Sequence, residues 1–340
     1  MKKRVFTAAS LAVAAIVSSV TAQQKAVTFL CLPTQEWCQI VANAYKTKTG
    51  IDAKFVRLST GEGIARLRAE KANPGFDVIF GGTADAHEVP INEGLSVFYK
   101  PKAWDDIYPN LKKEVKEKYI PLYTGALGWA INDGVLTARN LAAPKTWKDL
   151  GDPKYKGLIA MPNANTSGTA YQVITTLVTI YGEDGAFDLL KKIHKNVPRN
   201  GYTRPGAGSA FLAARGEVAI GLTFMHDAVA QTVKGFPVRA QAPTDGTSTE
   251  IGGISLIKGG PNPEGGKDFI DFTLEPATQK LAETADAFQI QSNKKTPISK
   301  NAIDFDTIKL IDYDYAKWGN GATRDRLVKR WTSEIFPLPR

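Results

Sequence analysis

The residues of this chain that could do chemistry are hydroxyls in glycine-rich turns, two carboxylates and one imidazole. Asn165-Thr166-Ser167-Gly168-Thr169 follows the apolar run Ile159–Met161 and Pro162, and opens a second apolar run, Ala170–Ile180. A helix start leaves backbone N–H groups unpaired and carries partial positive charge, so anions settle there. Thr166, Ser167 and Thr169 would surround such an anion with hydroxyl donors, and Gly168 would let the backbone come close. The plain alternative is an ordinary N-cap, for which Ser and Thr are the usual residues. His226 and Asp227 follow the apolar run Val218–Phe224, and Glu250 opens the glycine-rich run Ile251–Ile257. Their plain alternatives are a helix start with Asp227 as its N-cap, and a solvated carboxylate. An enzyme would need a nucleophile beside a base, or a metal cluster, and no spacing here delivers either.

The elements that must position these residues alternate strand and helix. Val27–Leu32, Ala53–Leu58 and Phe76–Phe80 read as strands, with helices over Glu36–Lys48 and Gly63–Ala72 between them. Alternation of this kind gives an α/β fold with a parallel sheet covered on both faces, which binds ligands at the carboxyl ends of its strands. The residues just past those ends are Thr34, Gln35 and Glu36, then Ser59, Thr60 and Gly61, then Gly82 and Thr83. Hydroxylic or small residues therefore recur at every strand end where a ligand is expected. A second block offers helices at Ala170–Tyr181, Ala186–Asn196 and Ser209–Arg215, and strands at Val218–Phe224 and Glu250–Ile257. Further helices fall near Glu264–Leu274 and Ala277–Thr284. Trp37 either walls a cleft or packs inside the first helix. Gly206–Ser209 reads as a plain loop, with extra donors as the alternative; His87 and His194 read as surface or core residues.

Met1–Ala22 has the form of a secretory signal peptide, with Lys2, Lys3 and Arg4 ahead of the uncharged run Val5–Ser19 and a small residue, Ala22, at its end. The mature chain is expected to begin near Gln23, at about 318 residues, which suits two lobes. Removing the three leading cations lowers the formal charge from +9 to +6. The remaining Lys and Arg are scattered, which favours anionic small ligands and speaks against nucleic acid. Cys31 and Cys38 suit an oxidising compartment, where a small disulfide loop is feasible; two buried thiols are the alternative. Cys-x6-Cys is a poor zinc pattern, and the three histidines at 87, 194 and 226 lie far apart, so no metal site is expected.

Several motifs, taken in order, resemble one family. They are Ser59-Thr60-Gly61-Glu62-Gly63, Phe76-Asp77-Val78-Ile79-Phe80-Gly81-Gly82, Thr146-Trp147-Lys148-Asp149-Leu150 and Asp152-Pro153-Lys154-Tyr155-Lys156-Gly157. Asn165–Tyr171 and Gly252–Gly259 complete the set. Together they are similar to the ferric-binding group of periplasmic solute-binding proteins serving ABC transporters, over essentially the whole mature chain. The resemblance implies a type II fold of two lobes, each a mostly parallel sheet flanked by helices, with the ligand cleft between them. Lobe one would be 25–122 plus 250–300, and lobe two 123–249 plus 301–340. It also implies a monomer without cofactor that passes a small anionic ligand to an inner-membrane ABC permease. Iron binders of this family carry an adjacent Tyr-Tyr pair, whereas this chain reads Thr223-Phe224-Met225-His226-Asp227-Ala228. That departure resembles the hexose-phosphate-binding branch, with ferric iron, phosphonate or another anion as the alternative ligand. On this likeness Thr34, Gln35, Glu36, Ser59, Thr60, Gly61, Thr83 and Thr166–Thr169 face the ligand from the helix starts. His226, Asp227 and Glu250 read the sugar hydroxyls.

Overall fold

The computed structural model describes residues 26–340, so the signal-peptide reading of Met1–Ala22 lies outside the described residues. Eleven strands run in chain order as β1 Val27–Cys31, β2 Ala53–Arg57, β3 Val78–Phe80, β4 Ser96–Val97, β5 Ile120–Ile131 and β6 Ile159–Pro162. They continue as β7 Tyr202–Thr203, β8 Ile220–Phe224, β9 Arg239–Gln241, β10 Thr249–Ile257 and β11 Ile290–Gln291. The hydrogen-bonded order is β2-β1-β3-β10-β5-β8-β6-β7. β1 pairs in parallel with β2 and β3 at one end, and β6 pairs in parallel with β7 and β8 at the other. Parallel pairs require crossover helices, which cover both faces and explain why the inner strands β1, β3, β6 and β8 are buried, largely apolar runs, whereas the edge strand β2 alternates half-buried and exposed residues.

Two antiparallel strands join the halves. β5 is twelve residues long and wholly buried. Its first half pairs with β10, Ile120 to Ala126 against Ile254 to Thr249, and its second half with β8, Leu127 to Ile131 against Phe224 to Ile220. The chain is thus a two-lobed α/β clamp whose lobes share this pair of crossing strands. Aromatic rings fill the core of the first half: Phe29 stacks on Phe269 at 4.8 Å between centroids, and Tyr45 meets Phe269 edge-on at 5.2 Å. Across the crossing, Trp129 meets Trp147 at 5.4 Å. Burying rings of this size contributes on the order of 2 to 3 kcal/mol each, which fixes the strand ends that carry the site.

Local chemistry sets where each helix starts. The Gln35–Thr49 helix buries Trp37, Cys38, Val41, Ala42 and Tyr45 along one stripe, and Gly50 ends it at φ 75°. The second helix begins at Thr60 rather than Gly63 and ends at Ala69. Its earlier start has a clear cause, because Glu62 Oε2 accepts the Ser59 backbone N–H at 3.1 Å, as an N3 glutamate does in a capping box. The third strand is shorter than expected, since Asp77 turns its carboxylate to the Thr28 N–H at 2.8 Å. The long helix Gly168–Asn196 breaks at Gly182, with φ 72° and ψ 168°, which recovers the two helices expected on either side. The expected helix Ala277–Thr284 forms only as Pro276–Lys280, followed by a 3-10 turn at Leu281–Ala285. Among the described residues no helix is long and apolar enough to cross a membrane.

Candidate functional site

The cleft between the lobes encloses about 280 Å³ and is built from helix starts at one end and a carboxylate–imidazole group at the other. Three helices of 15, 10 and 29 residues begin around it, with Thr34, Ser59 and Ser167 as their N-cap residues. Each cap follows the carboxyl end of a strand, so the unpaired N–H groups of the first turns converge on one region. Ser167 Oγ accepts from the Ala170 N–H at 3.4 Å, whereas the buried Thr34 Oγ1 has no partner among the described residues. Thr60, Thr83, Ser167, Gly168 and Thr169 all line the cleft. Gly168 is required by the closeness of the two lobes, because a Cβ there would lie 2.0 Å from Thr83 Oγ1 and 2.9 Å from Thr60 Oγ1.

Arg57 is the cation of this end, and reading the sequence by strand ends missed it. Its guanidinium donates to the Pro33 carbonyl at 3.0 Å, the Leu32 carbonyl at 3.4 Å and Ser59 Oγ at 3.2 Å, and it makes no ion pair among the described residues. Burial lowers its pKa, although Arg stays charged at any physiological pH. Because Ser59 Oγ accepts from Arg57, its own O–H is left to donate elsewhere. The sequence did hold a signal for Arg57. It is a cation two residues before the expected turn, on the half-buried side of β2, where it alternates with exposed Lys54 and Val56.

The opposite end is formed where β8, β10 and the segment after the 3-10 turn meet. His226 and Asp227 lie in the first turn of the Met225–Val233 helix, whose N-cap is Phe224, so Asp227 is not the cap. Asp227 Oδ2 accepts from Thr223 Oγ1 at 2.6 Å. His226 stacks on Phe224 at 5.5 Å, and its Nε2 lies 3.1 Å from Gln289 Nε2, 3.6 Å from Asp227 Oδ1 and 3.8 Å from Glu250 Oε1. Gly125 makes room for the group, since a Cβ there would sit 2.7 Å from His226 Nδ1 and 3.2 Å from Glu250 Oε1. Glu250 is 2% exposed and so is not the solvated carboxylate of the plain reading. Burial, reinforced by Asp227, raises its pKa well above the usual carboxylate range, whereas burial lowers that of His226. A neutral imidazole thus faces a carboxyl that holds its proton readily. Buried oxygens of Glu250 (Oε1) and Gln289 (Oε1) have no partner among the described residues, which is costly unless a ligand supplies one.

Three expected residues fall outside the cleft lining: Gln35, Gly61 and Thr166. Gln35 is exposed on the outer side of its helix start. Gly61 and Thr166 meet each other instead, the Gly61 N–H donating to the Thr166 carbonyl at 2.8 Å, and Thr166 Oγ1 donates to the Arg204 carbonyl at 2.9 Å. Thr83 lines the cleft, but its hydroxyl donates to Asp85 Oδ1 at 2.5 Å, so toward a ligand it offers lone pairs. Glu36 lies at the lining but is exposed. Trp37 does both things expected of it: it walls the cleft and packs on Phe80 and Tyr123 at 5.7 and 5.3 Å. Gly206 and Ala207 are lining residues rather than a plain loop. Tyr123 and Gln289 were missed because neither follows a strand end recognisable by pattern. His87 and His194 are core residues, held by Ser255 and the Gly81 carbonyl, and by Tyr202 and the Leu338 carbonyl. Cys31 and Cys38 form a disulfide at the foot of the first helix start.

A two-lobed α/β clamp around a buried polar cleft is the architecture of a solute-binding protein. Residues 73–318 match the family model described as bacterial extracellular solute-binding protein, and the chain belongs to that family. An uncharacterized protein of Haemophilus influenzae is 36% identical over 336 residues, which cover 97% of this chain and 96% of its own. The periplasmic binding protein AfuA from Actinobacillus pleuropneumoniae, solved with exogenous fructose 6-phosphate bound, superposes with a TM-score of 0.89 at 35% identity, over 92% of this chain and 99% of that one. The periplasmic binding protein P5PA superposes with a TM-score of 0.88 at 29% identity, over 92% of this chain and 100% of its own.

Proposed function

We propose that this protein captures a hexose phosphate in the periplasm and delivers it to an inner-membrane ABC permease. The observation that carries the reading is the division of the cleft into two chemistries. The helix starts at Thr34, Ser59–Thr60 and Ser167–Thr169, with the Arg57 guanidinium, suit a phosphate. They offer backbone and hydroxyl donors and a cation; of the two first-turn carboxylates, Glu62 is paired with Arg204 and Glu36 is exposed to water. His226, Asp227, Glu250 and Gln289 suit sugar hydroxyls, each of which both donates and accepts a hydrogen bond. AfuA, at 35% identity over nearly the whole chain, was solved with fructose 6-phosphate bound, which supports the same solute class here. A ferric ion would need anionic oxygen ligands such as the tyrosine pair, and Phe224-Met225 stand in that region.

On this reading lobe one is 25–122 plus 250–300, lobe two is 123–249 plus 301–340, and Met1–Ala22 directs export of a monomer. Solute binding draws the lobes together because the closed state makes contacts from both. Calorimetric titration with fructose 6-phosphate, glucose 6-phosphate, fructose and inorganic phosphate tests the reading. The two sugar phosphates should bind far more tightly than fructose or phosphate alone. Equal affinity for phosphate and its sugar esters would overturn it.

A further inference from the structure

Behind the helix starts, Asp85 and Arg324 form an ion pair, with Arg324 Nε 2.8 Å from Asp85 Oδ2. The two residues are only 4% and 5% exposed. They arrive from different sides of the molecule. Asp85 opens the helix Asp85–Asn92, which packs on β10 and on the Thr60–Ala69 helix. Arg324 belongs to the helix Gly321–Glu334, which bridges the halves: it packs on the Asp85–Asn92 helix, where Asp325 also pairs with Arg68, and on the Gly168–Asn196 helix of the other half. There Trp331 meets Tyr202 edge-on at 5.7 Å, Arg330 lies 4.2 Å from the Phe187 ring centre, and Thr332 Oγ1 donates to Asn165 Oδ1 at 2.8 Å. One member of the pair bonds to a residue of the cleft lining, and the other lies beside the Gly61–Thr166 contact next to it. Asp85 Oδ1 accepts the proton of Thr83, a lining residue. Arg324 Nη2, buried without a partner among the described residues, would lie 3.2 Å from a Cβ at Gly61, whose N–H donates to Thr166 across the cleft.

We propose that the Asp85–Arg324 pair is a latch for the closed cleft, its two members acting as positioning residues that do not touch the solute. The inference rests on the reading of this cleft as a two-lobe clamp that closes on its solute. When the lobes part, water reaches both charges; when they close, each is the other's nearest opposite charge, with only the Thr83 hydroxyl, the more distant Asp325 and the Tyr171 ring beside them. Removing one partner strands the second without water in the closed state alone, so the penalty falls on closure rather than on the fold of either lobe. Removing both leaves two neutral amides that can bond to each other. The double change is therefore milder than either single one, the signature of a direct coupling.

The test uses Arg324→Gln, Asp85→Asn and the double variant, with fructose 6-phosphate as the probe in calorimetry. Each single variant should raise Kd at least tenfold, and the double variant should raise it less than either. A pair that merely holds the fold would lower the melting temperature of the solute-free protein in both singles and leave Kd unchanged, which would overturn the latch. A second readout needs no solute. Glu62 and Arg204 form an ion pair across the cleft rim, so the combined change Glu62→Cys and Arg204→Cys places two thiols that a short bis-maleimide can bridge, at a rate that reports the closed population. Adding Arg324→Gln should slow that cross-linking at least fivefold, and an unchanged rate would refute the latch. Failure of the parent protein to bind fructose 6-phosphate overturns the solute reading alone, and the cross-linking rates then decide the latch.

Discussion

Replacing Glu250 probes the sugar end of the cleft most sharply, because burial there makes the expected magnitude calculable. The residue is 2% exposed, its Oε1 has no partner among the described residues, and burial together with Asp227 pushes its pKa up. In Glu250→Ala the sugar hydroxyl that met this oxygen is desolvated and left unpaired, at a cost of roughly 1.5 to 3 kcal/mol. At 1.4 kcal/mol per decade, that weakens hexose-phosphate binding by about ten- to a hundredfold. Glu250→Gln keeps the shape and resembles the protonated acid, so its Kd should stay within about threefold of the parent. Asp227→Ala should behave like Glu250→Ala, and should also free the Thr223 hydroxyl that now donates to Asp227. None of these changes should abolish weak binding of inorganic phosphate, which the other end holds. Calorimetric titration with glucose 6-phosphate and with phosphate separates the cases. Parent-like sugar-phosphate affinity in both alanine variants would refute the assignment of these residues. Equal losses in Glu250→Gln and Glu250→Ala would refute the neutral carboxyl.

Three further outcomes follow from named contacts. Ser167→Asp puts a negative charge at the start of the Gly168–Asn196 helix, and should abolish binding of both hexose phosphate and inorganic phosphate, checked in the same titrations. Thiol labelling of the unfolded, unreduced protein should find no free thiol, and reduction should cost about 2.5 kcal/mol in chemical denaturation for so short a loop. His87 is buried, which lowers its pKa to about 4, partly opposed by the Gly81 carbonyl and Asp85. Between pH 6.5 and 4 the unfolded chain therefore binds the extra proton and the folded one does not. Stability should fall by about 3 kcal/mol across that window, and His87→Gln should flatten that part of the pH profile in denaturant titrations.

Much of the fold was legible because its strands obey one rule. Val27–Cys31, Ala53–Arg57 and Val78–Phe80 are short apolar runs separated by helices, and each ends in small or hydroxylic residues. That rule reached Thr34, Ser59, Thr60, Thr83 and the Ser167–Thr169 turn, because a helix start after a strand is a local event. It reached too far at Gly61 and Thr166. Their backbone groups bond to each other across the cleft, and sequence adjacency cannot distinguish a residue that faces a ligand from one that closes over it. It did not reach Arg57, whose side chain returns along the strand to the turns at Leu32 and Pro33, or Gln289, which arrives from a segment distant in sequence from His226. The Asp85–Arg324 pair spans 239 residues, so no local pattern could mark it.

Whether this cleft holds a hexose phosphate is decided by native mass spectrometry of the protein purified from cells without refolding. A co-purified solute is retained in the closed clamp and declares its own mass. A population heavier by one hexose monophosphate is expected, lost on unfolding and reduced in Ser167→Asp. Retention of an iron ion, of a phosphonate or of an unphosphorylated sugar in its place would contradict it.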